Sequence, residues 1–404
     1  MNYYYIIVQL YSMSINVKEE SLRLHREKRG KIEVVGTMPL RNGEDLALAY
    51  TPGIAGPCLE IAKDKENAYE YTIKGRTVAV ITNGTAVLGL GNIGSLAGLP
   101  VVEGKALLLK RFGNVDAMPI CVDSTDADDI VNTIKNIAIG FGGIHLEDIK
   151  SPECFYIEEK LKEILDIPVY HDDQHGTAIV VLAGLYNALK IVDKDIAKIK
   201  VVINGAGASG IATAKLLISA GVKNIILCDI NGAVADGDTT LNDPQQKIAK
   251  VTNRSLEKGK LEDIIKNADV FIGVSDGNVV TKEMVESMNK DSIVFALANP
   301  IPEIMPDEAK KAGARVIATG RSDFPNQINN VLAFPGIFKG ALKVRAKDIC
   351  DEMKIAAAKG ISNLINDYEL NEDNIVPTVF NEDVSNAVAN AVIETAIKLD
   401  IARV

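Results

Sequence analysis

Two adjacent acidic pairs, Glu147-Asp148 in GGIHLEDIK and Asp172-Asp173 in YHDDQHGTA, precede a glycine loop, Asn204-Gly205-Ala206-Gly207-Ala208-Ser209-Gly210. Converging carboxylates repel one another unless a cation sits between them, and hard oxygen ligands favour Mg²⁺ or Mn²⁺ over zinc. His145, His171 and His175 flank the acids. They leave a mixed nitrogen–oxygen metal site open, although hydrogen-bonding histidines are the simpler reading. A glycine loop at the start of a helix suits the pyrophosphate of a dinucleotide. Together these residues describe an enzyme that oxidises a small acid while a metal holds it.

The pattern GxGxxG occurs twice, and alone it is weak. In Gly89-Leu90-Gly91-Asn92-Ile93-Gly94 the chain continues SLAGLP, and Pro100 is expected to stop any helix almost at once. In the second copy the strand IKVVIN leads into Gly205, and residues 209–220 read as a helix. The next strand, NIILCD, ends in Asp229, 24 residues after Gly205. Tight turn, close backbone approach, helix N-terminus and an acid for the ribose hydroxyls therefore follow in order. The dinucleotide is assigned to Gly205, Ala206, Gly207, Ala208, Ser209, Gly210 and Asp229. No Arg or Lys stands near Asp229 in the chain to receive a 2′-phosphate, which leans toward NAD while leaving NADP possible. The first loop, through Gly89 and Gly91, is left as an anion nest for a substrate carboxylate.

The elements that must position these groups alternate. A charged helix is expected from Lys18 to Arg29, ended by Gly30, and the turn Tyr50-Thr51-Pro52-Gly53 interrupts regular structure. Strands are expected at 77–82, 117–122 and 168–170, with helices at 126–139 and 158–165. Farther on, strands at 200–203, 224–228, 270–274, 292–296 and 315–318 alternate with helices at 209–220, 261–266 and 282–288. That spacing implies right-handed crossovers and a parallel, doubly wound sheet. The fold class is thus α/β: an N-terminal α/β domain over 1–170, then a Rossmann-type dinucleotide-binding domain over 171–404. C-terminal helices at 344–366 and 383–399 close the second domain.

The 404 residues exceed one ordinary core, so two domains are expected. With 44 basic and 54 acidic residues the net charge is −10, which argues against nucleic acid as a partner. Five dispersed cysteines without a CxxC pair argue against a zinc knuckle or redox dithiol and suit reduced thiols in the cytoplasm. The opening MNYYYIIVQLYSM is apolar, without a basic lead and too short to span a bilayer, and Met13 is a second start. Nothing else reads as a membrane span.

Several blocks resemble the malic enzyme family in its short prokaryotic form: AYTPGIAGPCLEIA (49–62), VITNGTAVLGLGNIGSLAGLPVVEGKALLLKRFG (80–113), GGIHLEDIKSPECF (142–155), VYHDDQHGTAIV (169–180), VINGAGASGIA (202–212), ALANPIPEI (296–304) and NNVLAFPGIFKGAL (329–342). The resemblance implies conversion of malate, a nicotinamide cofactor and a divalent metal into pyruvate, CO₂ and reduced cofactor. It implies Glu147, Asp148 and Asp173 as metal ligands, with Asp172 behind them. Lys105 matches the family's catalytic lysine and Tyr50 its catalytic tyrosine. Asn299 and Asn330 match residues that hold substrate and nicotinamide. The long eukaryotic form carries a substrate-binding arginine where this chain has Ala86, a loss shared by the short forms. The resemblance also implies a homodimer or higher homo-oligomer. Its nearest rival is a malolactic-type enzyme releasing lactate; a metal-independent two-domain amino-acid dehydrogenase would have no use for the LED and HDD carboxylates. The form with a fused acetyltransferase-like half is not expected, since the sequence stops at Val404.

Overall fold

Apolar residues run without alternation through TVAVIT, and a strand of that kind needs cover on both faces. In the computed structural model, which describes residues 17–404 other than Leu88, this segment is β1 (Thr77–Thr82), buried at every position. It lies inside a four-stranded, wholly parallel sheet with β2 (Asp116–Cys121), β3 (Gly143–Glu147) and β4 (Val169–His171), in the order β2-β1-β3-β4. Val78 and Val80 point into the main core, whereas Ala79 and Ile81 pack on the other face against helices Ala127–Ile137 and Glu153–Ile164. The reading of the opening thirteen residues lies outside the described residues.

The second sheet has six strands: β5 (Lys200–Asn204), β6 (Asn224–Asp229), β7 (Gly232–Ala233), β8 (Val270–Gly273), β9 (Ile293–Ala296) and β10 (Val316–Thr319). Their order is β10-β9-β8-β5-β6-β7, parallel except for the short antiparallel β7. The order reverses between β5 and β8, the crevice where doubly wound sheets bind ligands. The first sheet reverses in the same way between β1 and β3, with Thr82 opposite Glu147 at the carboxyl ends.

Helix Asp172–Val192 runs from the end of β4 toward β5 and joins the two sheets. It is long and apolar enough to cross a membrane, contrary to the reading that no further segment approached a span. Most of it is buried against helices Ala208–Ser219 and Asp351–Ser362, which accounts for its composition. One apolar cluster joins this helix to β1, β5 and the C-terminal helices, through residues such as Ile179, Val201, Phe338 and Val388.

Two further expectations change. Pro100 does not stop a helix; it opens Leu99–Gly113, in the first turn, where its missing N–H costs no hydrogen bond. The C-terminal helix expected over 344–366 is shorter, Asp351–Ser362, and a separate helix, Phe334–Lys343, precedes it. Arg345 adopts a left-handed backbone (φ +50°) between them, and Asp351 and Glu352 supply acid to the new N-terminus.

Candidate active site

β3 ends at Glu147, and Asp148 follows with a left-handed backbone (φ +53°), a region that aspartate tolerates better than most residues. In this conformation the Asp148 amide donates to Asp173 Oδ2 at 2.9 Å. Its carbonyl accepts from the amides of Thr85 and Ala86. Asp172 and Asp173 are the first two residues of helix Asp172–Val192, rather than a loop before it, so the helix dipole favours their charge. The two pairs, apart in the chain, thus meet. Glu147, Asp148 and Asp173 each bring one oxygen to within 4.8 Å of the others, and His145, Glu147 and Asp172 form a second such group.

Lys105 lies in the middle of helix Leu99–Gly113, its side chain only 11% exposed. Its ammonium sits 2.5 Å from Asp172 Oδ2 and 3.2 Å from Glu147 Oε1, over the face of Phe334. Burial pushes its pKa down, yet the Asp172 and Glu147 carboxylates outweigh that and hold it above the ordinary lysine value. A cation shared by the carboxylates would cancel their pull and leave burial in control. Burial also raises Asp148, Asp172 and Asp173, in each case with Glu147 adding repulsion. His145 is the reverse case: burial lowers it to about 4, so it is neutral, and its Nε2 bonds Glu147 at 2.8 Å.

Asp148 Oδ2 and Asp172 Oδ1 are buried without a hydrogen-bond partner. A buried carboxylate oxygen left unpaired is costly, and Glu147, Asp148 and Asp173, facing one another, cannot all stay ionised without a counter-charge. The donor set is hard oxygen, so a Mg²⁺- or Mn²⁺-sized ion fits these residues. Of the flanking histidines, His175 turns away to Glu158 Oε1 at 2.6 Å.

The glycine loop joins β5 to helix Ala208–Ser219. A Cβ on Gly210 would overlap the Gly205 carbonyl oxygen, whereas one on Gly207 would meet nothing within 4 Å. The first position is closed by the fold, and the second is the open side available to a pyrophosphate. Gly210→Ala should therefore lower thermal stability, by about 1–3 kcal/mol as overpacking does. Gly207→Ala should leave the melting temperature unchanged and weaken NADH binding, read by nucleotide fluorescence. Equal stability losses in the two variants would contradict this division.

A cavity of about 680 Å³ extends from Gly205, Ala206 and Gly207 to Asp229. Asp229 Oδ1 accepts from the amides of Asn231 and Gly232. Lys260, remote in the chain, lines the same cavity and donates to the Ile230 carbonyl at 2.9 Å. The fold thus brings to Asp229 a basic residue that the neighbouring chain does not supply. The Ser209 hydroxyl donates to the Asp173 carbonyl at 2.8 Å, so the start of the cofactor helix is tied to the carboxylate cluster. No sequence pattern announced that link or Lys260.

Asn330 stands beside the first turn of helix Asp172–Val192, close to Gly176. Asn299 reaches the cleft from the end of the second sheet, where its carbonyl lies 3.5 Å from the Cβ position of Gly89. The loop bearing Gly89 and Gly91 is less open than an anion nest requires. The amides of Leu90 and Gly91 donate to the Val87 carbonyl, Ile93 to the Gly84 carbonyl, and Gly94 to the Asn92 side chain. Tyr50 is not gathered in. It caps helix Gly43–Ala49 and is 62% exposed.

Known proteins agree in one direction. The family profile "Malic enzyme, N-terminal domain" matches residues 29–162, and "Malic enzyme, NAD binding domain" matches 174–397. A bifunctional malic/malolactic enzyme of Bacillus subtilis is 55% identical, covering 96% of this chain and 95% of its own. An NAD-dependent malic enzyme of Geobacillus stearothermophilus is 54% identical over 96% of this chain and 81% of its own. The crystal structure of a malic enzyme from Pyrococcus horikoshii superposes with a TM-score of 0.92 at 50% identity, covering 96% and 92% of the two chains. The metal-suited carboxylates, the doubly wound cofactor sheet and these matches over nearly the whole length lead to one assignment: the chain belongs to the malic enzyme family.

Proposed function

We propose that this protein oxidises (S)-malate and decarboxylates it to pyruvate and CO₂, with NAD as the dinucleotide, and that it also decarboxylates oxaloacetate. The observation that carries the reading is the buried Lys105 ammonium against Glu147 and Asp172, with Asp148 and Asp173 beside them. Glu147, Asp148 and Asp173 would hold Mg²⁺ or Mn²⁺, and Gly205–Gly210 with Asp229 the dinucleotide. When bound, the metal polarises the C2 oxygen and the nicotinamide accepts the C2 hydride. Lys105 takes the C2 hydroxyl proton as general base, and Asp172 holds its amine in position. The C3–C4 bond then breaks, CO₂ leaves, and C3 must gain a proton, for which Tyr50 is the acid. Asn299 and Asn330 orient the substrate, a role that falls to them more heavily because the Gly89–Gly94 amides are largely spent. Lys260 beside Asp229 gives NADP a foothold.

The assay is steady-state malate turnover with each cofactor and each metal, with the product identified. Pyruvate accumulating with NADH supports the reading. Lactate without net NADH would instead favour the malolactic reaction, the second activity in the name of the Bacillus relative. No metal-dependent turnover of malate would refute both. Tyr50→Phe should impair overall turnover while reduction of supplied oxaloacetate stays comparatively intact; equal loss of the two counts against C3 protonation.

Tyr50 lies on an N-terminal arm in which the α-helices Gly43–Ala49, Ala55–Lys63 and Ala68–Tyr71 bury no residue. Val34 is 82% exposed, Leu48 69% and Leu59 61%. Large apolar side chains exposed in this number suit association, and a second copy is the partner we assign, forming a cytoplasmic homodimer that brings Tyr50 to the Lys105 site. Mixing Lys105→Ala and Tyr50→Phe protomers tests this. Half the dimers would be mixed, each with one intact site, restoring about a quarter of full activity. Mixtures as inactive as the separate variants would rule out sharing.

A further inference from the structure

A second cavity, of about 440 Å³, lies outside the residues assigned to catalysis. It opens between helices Glu153–Ile164, Asp172–Val192, Ala208–Ser219, Asp243–Ala249 and Asp351–Ser362. Lys354, 4% exposed, is its most deeply buried cation. Its ion-pair partner among the described residues is Asp351, at 3.1 Å, whose own side chain is 48% exposed. Lys162 pairs with Glu158 and Asp348 at 3.3 and 3.4 Å. Both Glu158 oxygens are already engaged, by His175 and Gln174 at 2.6 and 2.8 Å. Lys215 faces the Phe155 ring at 5.6 Å and pairs with no carboxylate among the described residues, and Lys247 reaches Glu159 only at 3.9 Å. Four ammonium groups and three carboxylates, Glu158, Glu159 and Asp351, therefore line the space, and the carboxylates are either shared or turned toward water.

We propose that this cavity binds a small dianionic organic molecule, a phosphate monoester with a short apolar body, held by Lys354, Lys162, Lys215 and Lys247 and packed on Phe155 and Leu216. Burying an ammonium with a single half-exposed partner is expensive, and an anion at this depth would offset that cost. Burial, with Lys162 adding repulsion, already pulls the Lys354 pKa down, in keeping with unmet positive charge. Lysines act on phosphate as point charges and do not demand the planar fork of a carboxylate–arginine pair. The cavity walls come from both sheets. Helix Glu153–Ile164 covers the first sheet, while helix Ala208–Ser219 starts at the dinucleotide loop of the second. An occupant would hold the two together, so its binding should be coupled to that of the dinucleotide.

The test is calorimetric titration of phenyl phosphate into the full chain saturated with NADH and Mn²⁺, which keeps the probe out of the cofactor cavity. Lys215 and Lys247 are exposed, so Lys215→Ala/Lys247→Ala should fold normally and bind the probe weaker by roughly tenfold per ammonium removed. Lys354→Met should abolish binding. Phthalate, the same charge as a dicarboxylate, is the second arm. Binding of phthalate that the same substitutions abolish supports the site and assigns the dicarboxylate source. No binding of either probe, or binding unaffected by the paired lysine substitutions, overturns the proposal. Phenyl phosphate should also change the NADH dissociation constant of the unsubstituted protein but not of the double variant; an unchanged constant overturns the coupling. These readouts need no malate turnover, so they fail or succeed independently of the proposed reaction.

Discussion

Lys105→Ala is expected to lower malate turnover by roughly 10²–10⁴-fold, the range general-base catalysis contributes, while NADH binding is retained. The residue's location explains the size of the effect. It is buried, and no other lysine lies within salt-bridge reach of Glu147 or Asp172 among the described residues. Lys105→Arg should be as inactive, because a guanidinium keeps its proton at any working pH. A stability effect travels with the substitution: Asp172, fully buried, loses its cation, and breaking such a pair costs about 3–5 kcal/mol. The double variant Lys105→Ala/Asp172→Asn separates the two. It should recover thermal stability and remain inactive, since the buried charge has gone but the base has not returned. Turnover near that of the unsubstituted protein in Lys105→Ala would end the base assignment.

Asp173→Asn is expected to abolish metal-dependent turnover and to move stability in opposite directions with and without metal. Burial and Glu147 raise the Asp173 pKa, so its ionised form weakens the folded protein wherever the pH lies above the ordinary carboxylate value. An amide of the same shape can still accept the Asp148 N–H while removing the repulsion. The metal-free variant should therefore melt higher than the unsubstituted protein. Added Mn²⁺ should raise the melting temperature of the unsubstituted protein, by mass action on the folded state, and leave the variant nearly unmoved. Loss of a ligand should exceed the roughly 10–100-fold cost in metal affinity of losing an outer hydrogen-bond partner. Unchanged Mn²⁺ affinity by calorimetry would remove Asp173 from the ligand set.

Local patterns carried the elements of the proposed dinucleotide loop. A strand, the Gly205–Gly210 turn, a helix and the terminal acid of the next strand are successive in the chain, so each part is positioned by its neighbours. Pro100 differs from expectation because a proline that ends one helix and a proline that opens another are the same signal in the chain, and only the fold separates them. The late start of the C-terminal helix, at Asp351 and not Val344, has a related reason: Arg345 carries no glycine or proline signal, yet its backbone is left-handed. The Gly89–Gly94 loop kept its glycines but closed on itself, since which amides are free depends on carbonyls that only the fold brings near.

The sequence by itself determined the residue types and their local geometry: acids at the end of a strand and the start of a helix, and glycines at a strand-to-helix turn. Those features depend on residues within a turn or two, where backbone propensity and hydrogen bonding act. Only the tertiary structure decided which charges share a space. Lys105 lies 67 residues from Asp172 and touches it, Ser209 ties the cofactor helix to Asp173, and Lys260 stands over the turn after Asp229. Burial then turns those contacts into chemistry, because desolvation magnifies every unpaired charge and no local pattern records how deeply a side chain will be buried. Tyr50 marks the same boundary from the other side: the chain supplied the residue, but a single fold leaves it facing water.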